Sequence, residues 1–377
     1  MKLWIISSSY PRHPSESINA GVLARDVALG AVRMGHDVEV VTPDKPGGVV
    51  FDDELSGTVI PWPDPTVLLA DIDPKKPRDA FKSLALLLSA RRTLKQLSRT
   101  SPPDGIIALW ALPSGMFARW ASRWASVRYV TWILGSDVWA APRIPFGSNA
   151  LRRVLRDSAA NYADGAELAA AATDATGRPV DILWSVRQLP EPSGETPARL
   201  DVLYVGRYHH NKGPDVLLDA LAMVPHGAAA PRVRLHGQGD LESALAEKAT
   251  AMGYEASGVV RGPIAAQALA DQLENCGVLV IPSRLDSVPM VLADAVQAGT
   301  AVVVTDVGDM GRLVRKYRLG LVVQSQDPGA LAEAISEILS TDRYPNAEGL
   351  EGARRHFSIS AIATTLIGNL EDETVDA

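Results

Sequence analysis

The residues best suited to chemistry in this chain are two cations that follow a short apolar run in its second half. Residues 206–214 read GRYHHNKGP, so the run ends at Gly206 and a proline suited to a first helical turn follows. Arg207 offers planar, bidentate donors and Lys212 a compact point charge. Together they could hold a diphosphate and stabilise charge on a leaving phosphate without a metal. Two solvated surface cations are the alternative.

Two carboxylates occur further along, in the segment PSRLDSVPMVLADAVQAG at 282–299. Asp286 lies near the start of a predicted helix and Asp294 about two turns later, so both side chains can face one ligand. A carboxylate that accepts from two adjacent hydroxyls is how proteins bind ribose. Asp286 could instead complement the helix dipole. Asp294 is surrounded by apolar residues and therefore needs a partner.

The elements that would position these residues alternate between short β-branched runs and longer stretches of helical periodicity. Strands are predicted at 3–8, 37–42, 105–110 and 129–133, and again at 201–205, 232–236, 259–261, 278–282, 301–306 and 321–324. This alternation predicts parallel sheets covered by helices, an α/β fold of two Rossmann-like doubly wound domains facing across a cleft. Ligands bind at the carboxyl ends of the strands of such sheets.

The domain boundaries follow from composition. Residues 188–197 contain three prolines and no periodicity, which predicts a linker between domains at 1–187 and 198–357. We expect residues 358–377 to form a helix that packs back toward the first domain.

These motifs resemble those of family-four retaining glycosyltransferases of the GT-B architecture, and the resemblance covers nearly the whole chain. It implies that Arg207 and Lys212 bind the donor pyrophosphate, that Asp294 binds the ribose and that Asp286 lies near the transferred sugar. The family has glutamate at both acidic positions, whereas this chain has aspartate, which is one methylene shorter.

The resemblance implies further contacts on both domains. Donor contacts are expected at Gly21, Gly206, Gly237, Arg261, Ile264 and Asp309. Contacts on the acceptor side are expected at Trp110, Ser136 and Asp137. Ordinary helix entries or caps are the alternatives at Gly21, Asp309 and Asp137. Leu109 and Leu134 stand where the family often has histidine.

Composition argues against several other classes of protein, namely disulfide-bonded, metal-binding and nucleic-acid-binding proteins. The chain has 377 residues, 46% of them apolar, and its only cysteine, Cys276, excludes an intramolecular disulfide and fits a reducing cytoplasm. The histidines lack ligand spacing, and the Asp71-Ile72-Asp73 pattern is interpreted as a chance match in a loop, so no metal or other cofactor is expected. The net charge of −7 argues against nucleic acid as a partner.

Two basic segments, 75–99 and 119–128, contain leucines or tryptophans at helical spacing. They could contact the inner face of a membrane, or they could be helices with one core-facing and one solvated face.

The resemblance, together with the charged residues described above, therefore implies a retaining, metal-independent glycosyltransferase, with a hexosyltransferase expected. The donor would be a nucleotide diphosphate sugar, and the acceptor a glycan, a lipid-linked sugar or a small molecule. An inactive nucleotide-sugar binding protein and a GT-B nucleotide-sugar epimerase are the alternatives.

Overall fold

The computed structural model describes residues 1–13, 21–62, 76–194, 199–224, 231–341 and 343–371. The chain forms two compact units. Unit 1 comprises residues 1–184 together with 359–377, and unit 2 comprises residues 185–358.

The described residues of unit 1 form seven strands: β1 (Lys2–Ser7), β2 (Asp37–Pro43), β3 (Ser56–Ile60), β4 (Gly105–Leu109), β5 (Arg128–Ile133), β6 (Asn161–Ala163) and β7 (Asp181–Ile182). They form one parallel sheet in the order β3-β2-β1-β4-β5-β6-β7. Its helices are α1 (Gly21–Arg33), α2 (Pro77–Thr100), α3 (Met116–Ala125), α4 (Ser136–Ala140), α5 (Gly147–Asp157) and α6 (Ala166–Thr176).

In the part of unit 2 that the structure describes there are six strands: β8 (Leu200–Val205), β9 (Val233–His236), β10 (Val260–Arg261), β11 (Cys276–Ile281), β12 (Val302–Thr305) and β13 (Gly320–Val323). They form a parallel sheet in the order β10-β9-β8-β11-β12-β13. Its helices are α7 (Pro214–Leu221), α8 (Glu242–Ala251), α9 (Ala256–Val259), α10 (Ala266–Glu274), α11 (Met290–Ala298), α12 (Met310–Tyr317), α13 (Pro328–Ser340) and α14 (Ala347–Arg354).

The last helix, α15 (Ile359–Glu371), belongs to unit 1 although it follows unit 2 in sequence. Two glycines of unit 1 leave room for the side chains of α15 to pack closely. A Cβ atom at Gly30 of α1 would lie 2.6 Å from the Ile359 side chain, and one at Gly105 of β4 would lie 2.9 Å from Leu370. The helix buries one apolar face in unit 1, formed by Ile359, Ile362, Ala363, Leu366, Ile367 and Leu370.

The central strands β1, β4, β8 and β11 are apolar and largely buried, which is the pattern of a parallel sheet covered on both faces. The prediction of two doubly wound parallel sheets is confirmed. The described part of segment 188–197 lies on unit 2, where the Ser193 N–H donates to Asp271 Oδ1 at 2.6 Å.

Candidate functional site

The loop that follows β8 carries both cations singled out by the sequence. Arg207 is exposed, and its guanidinium makes no hydrogen bond or ion pair with any residue that the structure describes. Its own carbonyl accepts a hydrogen bond from the Tyr204 hydroxyl at 2.9 Å, which fixes the backbone while the side chain stays available. A short 3-10 turn, His210–Lys212, then leads into α7 through Gly213.

Glycine is required at two positions of this loop region. Gly213 has a left-handed φ of 64°, and a Cβ atom there would lie 2.1 Å from the carbonyl oxygen of Pro282, just after β11. Gly237 follows β9, and a Cβ atom there would lie 1.9 Å from the carbonyl oxygen of Gly206. The loops after three neighbouring strands therefore pack backbone against backbone, which holds Lys212 at a defined position.

The structure brings Lys212 and Asp286 together, although 74 residues separate them. Lys212 Nζ lies 2.5 Å from Asp286 Oδ2, and the Ser283 hydroxyl donates to the same oxygen at 3.2 Å. Both charged side chains are mostly buried, at 22% and 13% exposure. The Asp286 carboxylate thus occupies the place beside Lys212 Nζ that a bound anion would take.

Arg284 links the two loops and was not singled out from the sequence. Its guanidinium donates two hydrogen bonds to the Asp215 carboxylate, at 2.8 and 2.7 Å, and one to the His210 carbonyl at 2.7 Å. Its backbone N–H donates to the Asn211 carbonyl. Burial alone would raise the pKa of Asp215, but the guanidinium beside it holds that pKa below its ordinary value. No local pattern identifies Arg284, because its partner lies 69 residues away in sequence.

Asp294 does have the partner that its apolar surroundings require. Its carboxylate is fully buried and accepts hydrogen bonds from Arg187 Nε at 2.9 Å and from an Arg187 terminal nitrogen at 2.5 Å. Burial raises the pKa of Asp294, and the guanidinium offsets part of that rise. Gln297, one turn later on α11, donates to the Arg187 carbonyl and accepts from the Leu189 N–H. The ribose contact of Asp294 stays a prediction, and because the carboxylate is fully buried, a ligand would need the surrounding residues to move before it could reach Asp294.

The other donor positions predicted in unit 2 lie on neighbouring loops. The Arg261 carbonyl accepts from the Gly237 N–H at 3.1 Å, while the Arg261 side chain is exposed. Ile264, three residues after Arg261, is buried.

Asp309 precedes α12. Its Oδ1 accepts a hydrogen bond from Arg312 at 2.9 Å, and its backbone N–H donates to the Ser287 carbonyl. Asp309 therefore lies against the loop that carries Asp286.

In unit 1, Asp137 joins the loops that follow β4 and β5. Its Oδ2 accepts from the Ala111 N–H at 2.6 Å, and its Oδ1 accepts from the Val138 N–H at 3.2 Å. Burial raises the pKa of Asp137 to about 6, although the N–H donors favour the charged form. Trp110, directly before Ala111, has a positive φ of 71°, a conformation that L residues rarely adopt.

The remaining predictions in unit 1 concern backbone positions. Gly21 is the first residue of α1, and a Cβ atom there would lie 2.4 Å from the backbone of Tyr10, so close packing accounts for this glycine. Ser136 is the first residue of α4. The Asp71-Ile72-Asp73 pattern and residues 14–20 before Gly21 lie outside the described residues.

No helix in the described parts of the chain is long and apolar enough to cross a membrane.

Two family models match consecutive parts of the chain. The model described as "Glycosyl transferase 4-like domain" matches residues 20–183, and the model described as "Glycosyl transferases group 1" matches residues 199–341. The first match lies within unit 1 and the second within unit 2.

Curated relatives and solved structures agree with these matches. The putative teichuronic acid biosynthesis glycosyltransferase TuaC of Bacillus subtilis is 28% identical over 65% of this chain and 63% of its own length. A D-inositol 3-phosphate glycosyltransferase of Streptomyces scabiei is 32% identical over 40% of this chain and 36% of its own length. The matched part thus spans less than two thirds of either relative.

Two solved structures share the fold over almost the whole chain. Sucrose-phosphate synthase of Thermosynechococcus elongatus has a TM-score of 0.72 at 18% identity, covering 98% of both chains. Anabaena HepE, in complex with UDP and glucose, has a TM-score of 0.68 at 17% identity and covers 98% of this chain and 99% of its own.

The fold defines a GT-B protein, with two Rossmann-like units on separate parallel sheets. Since the two family models together match most of both units, the chain belongs to the family-four glycosyltransferases.

Proposed function

We propose that this protein is a retaining, metal-independent glycosyltransferase that takes a hexose from a nucleotide diphosphate sugar. The observation that carries the proposal is the arrangement at the carboxyl edge of the unit 2 sheet. There the exposed guanidinium of Arg207, which has no hydrogen-bond or ion-pair partner among the described residues, and the paired Lys212 and Asp286 lie on loops that Arg284 joins. The similar HepE protein binds UDP and glucose in its crystal structure, which supports a nucleotide sugar as the donor.

In this proposal Arg207 and Lys212 stabilise the negative charge of the leaving diphosphate. An acceptor hydroxyl attacks the anomeric carbon on the face that the diphosphate leaves, and the bond between that carbon and the phosphate oxygen breaks. The bonding electron pair stays on the phosphate oxygen, which takes the hydroxyl proton. Negative charge grows on the diphosphate during this step, and Arg207 and Lys212 would stabilise it. Because the leaving phosphate accepts the proton, leucine at 109 and 134 is compatible with transfer.

Donor binding would release Lys212 from Asp286. The diphosphate offers Lys212 a stronger anion than one carboxylate, and the freed Asp286 could then accept from hydroxyls of the transferred sugar. The backbone at Gly21, Gly206 and Gly237 would approach the phosphates or sugar. The remaining proposed donor contacts are Arg261 and Ile264 toward the base, Asp294 toward the ribose and Asp309 toward the sugar.

The acceptor is proposed to be a glycan, a lipid-linked sugar or a small molecule bound by unit 1. Trp110, Ser136 and Asp137 are the candidate contacts, and the hydrogen bond from the Ala111 N–H to Asp137 joins the loops after β4 and β5 that carry them. Peripheral contact with the inner face of a membrane would suit a lipid-linked acceptor.

A panel of nucleotide sugars tests this function, with release of nucleoside diphosphate measured and the products identified by mass. We expect one donor class to turn over and a chelator to leave the rate largely unchanged. Arg207→Ala and Lys212→Ala should each lower kcat/KM by about 100-fold or more. Arg199→Ala is the matched control, because Arg199 is an exposed arginine at the opposite end of β8.

Each alternative gives its own result in the same assay. An isomeric nucleotide sugar would indicate an epimerase, and binding without turnover would indicate an inactive binding protein. Loss of activity on chelation that Mg²⁺ or Mn²⁺ restores would contradict the metal-independent mechanism. Full activity in both cation variants would contradict the diphosphate assignment.

A further inference from the structure

Helix α2 carries apolar side chains on two faces, and among the described residues one of these faces packs into the core of unit 1 while the other stays exposed. The inner face contributes to the core through Leu86, Ala90 and Leu94. The outer face leaves Phe81, Leu84 and Leu88 at 71%, 53% and 48% exposure. Spacings of three and four residues place these three side chains in one line along the helix. A soluble surface rarely groups three large apolar side chains without a partner.

The same line continues as a basic stripe. Arg92, Lys95 and Arg99 follow Leu88 at spacings of four, three and four residues, and all three side chains are exposed. None of the three forms an ion pair or hydrogen bond within the described parts of the chain. From Phe81 to Arg99 the line is about 27 Å long at 1.5 Å per residue. The only acid of α2, Asp79, is half-buried near the start of the helix and does not lie on this line.

The second basic segment, 119–128, does not offer such a surface. Arg119 and Arg123 on α3 both donate to the Asp157 carboxylate, at 2.7 and 3.1 Å. The Trp124 ring is half-buried and lies beneath the Arg91 guanidinium of α2, 5.9 Å from its centroid. The tryptophans of α3 therefore face neighbouring elements, and α2 is left as the candidate surface.

We infer that the outer face of α2, formed by Phe81, Leu84, Leu88, Arg92, Lys95 and Arg99, docks on an anionic lipid surface. The charge of this face and its apolar end together select that partner. Lipid headgroups with negative charge attract the cations, and the adjacent acyl boundary buries the phenyl and leucyl side chains. A polyanion such as nucleic acid would use the cations but leave the apolar end exposed. Docking is independent of the transfer reaction and can be measured without a substrate.

Vesicle co-sedimentation of the full chain tests the inference, with phosphatidylcholine vesicles that contain or lack phosphatidylglycerol. We expect binding to the anionic vesicles only, weakening as salt is raised. The triple variant Arg92→Gln/Lys95→Gln/Arg99→Gln should bind about 100-fold more weakly, because each cation near the surface contributes roughly fivefold. Phe81→Ser/Leu84→Ser/Leu88→Ser should lose about 30-fold or more through lost apolar burial.

The matched control Arg153→Gln/Arg178→Gln/Arg199→Gln makes the same change in net charge at exposed arginines elsewhere. We expect it to bind within about threefold of the unaltered chain, and circular dichroism should give the same melting temperature for all variants. Sedimentation velocity without lipid should show a monomer. Equal loss in the control, equal binding to both kinds of vesicle, or a dimer that the serine variant dissociates would each overturn the inference.

Discussion

At the scale of single residues, the role of Asp294 depends on its contact with Arg187. The carboxylate is fully buried and the guanidinium is 9% exposed, so the Arg187 guanidinium supplies the buried carboxylate with a compensating charge. Removing one charge of such a pair takes charge compensation away from the other buried group, which costs more than the pair itself contributes. The contacts therefore give Asp294 a structural task within unit 2 whatever it does toward a ligand.

We predict that Asp294→Asn lowers the free energy of unfolding by about 3 kcal/mol, because the mostly buried Arg187 guanidinium loses its contact with the Asp294 charge. Chemical denaturation measures this directly. The double variant Arg187→Met/Asp294→Leu should recover much of the loss, since it removes both charges. Unaltered stability in the single variant would contradict the ion pair seen in the structure.

The same variant tests the proposed ribose contact. Calorimetric titration should compare the nucleoside diphosphate selected by the donor panel with its 2′,3′-dideoxy analogue. A loss of roughly 10- to 150-fold confined to the ribose-bearing ligand would support the contact. Equal losses for both ligands would restrict Asp294 to the Arg187 pair.

At the scale of elements, the donor-side loops of unit 2 behave as one assembly. Gly213 approaches Pro282 after β11, Gly237 approaches Gly206 after β8, and Arg284 joins the loop after β11 to α7. Each contact links segments far apart in sequence. The position of Lys212 relative to Asp286 is therefore set by backbone packing as well as by the attraction between the two charges.

We predict that Gly213→Ala destabilises unit 2 by about 3 kcal/mol or more, through a strained left-handed conformation and a clash with the Pro282 carbonyl. Gly253→Ala is the matched control, because Gly253 has a φ of 86° but open space around its Cβ position. It should cost about 1 kcal/mol. Diphosphate binding should weaken only in the Gly213 variant, and equal costs for the two variants would contradict the packing argument.

At the scale of the whole molecule, the chain leaves unit 1 at residue 184 and returns to it with α15. Unit 2 is one continuous segment, whereas unit 1 needs two. Charge is also unevenly divided along the chain. Residues 1–190 carry 22 Lys and Arg against 19 Asp and Glu, while the remainder carries 15 against 25. The basic outer face of α2 lies in the less acidic part.

We predict that residues 185–358 expressed alone fold and unfold cooperatively, and that residues 1–184 alone do not. The second fragment lacks α15, whose five large buried side chains contribute about 1.5 to 3 kcal/mol each. That sum is comparable to the total stability of a typical domain. Thermal unfolding followed by circular dichroism compares the two fragments, which are of similar length. A cooperative transition in 1–184 would contradict a structural role for α15.

The fold class can be predicted from the amino-acid pattern alone. Alternating buried strands and amphipathic helices predict parallel sheets, because a strand covered on both faces must be apolar throughout its length. For β8, β9, β11 and β12, both predicted ends lie within two residues of the ends in the structure. The prediction did not include β3, β6 or β7, which are short or half-exposed and lack a long apolar run.

The sequence also predicts that the loops after β8 and β11 lie at one edge of the sheet, since parallel strands end at the same side of a sheet. Which side chains meet at that edge depends on tertiary packing, which the sequence pattern does not specify. The pairs of Lys212 with Asp286, Arg284 with Asp215 and Arg187 with Asp294 join residues 69 to 107 positions apart. Which of the two apolar faces of α2 is buried likewise depends on tertiary packing. Helical periodicity defines faces, but which face is buried depends on neighbours that periodicity does not specify.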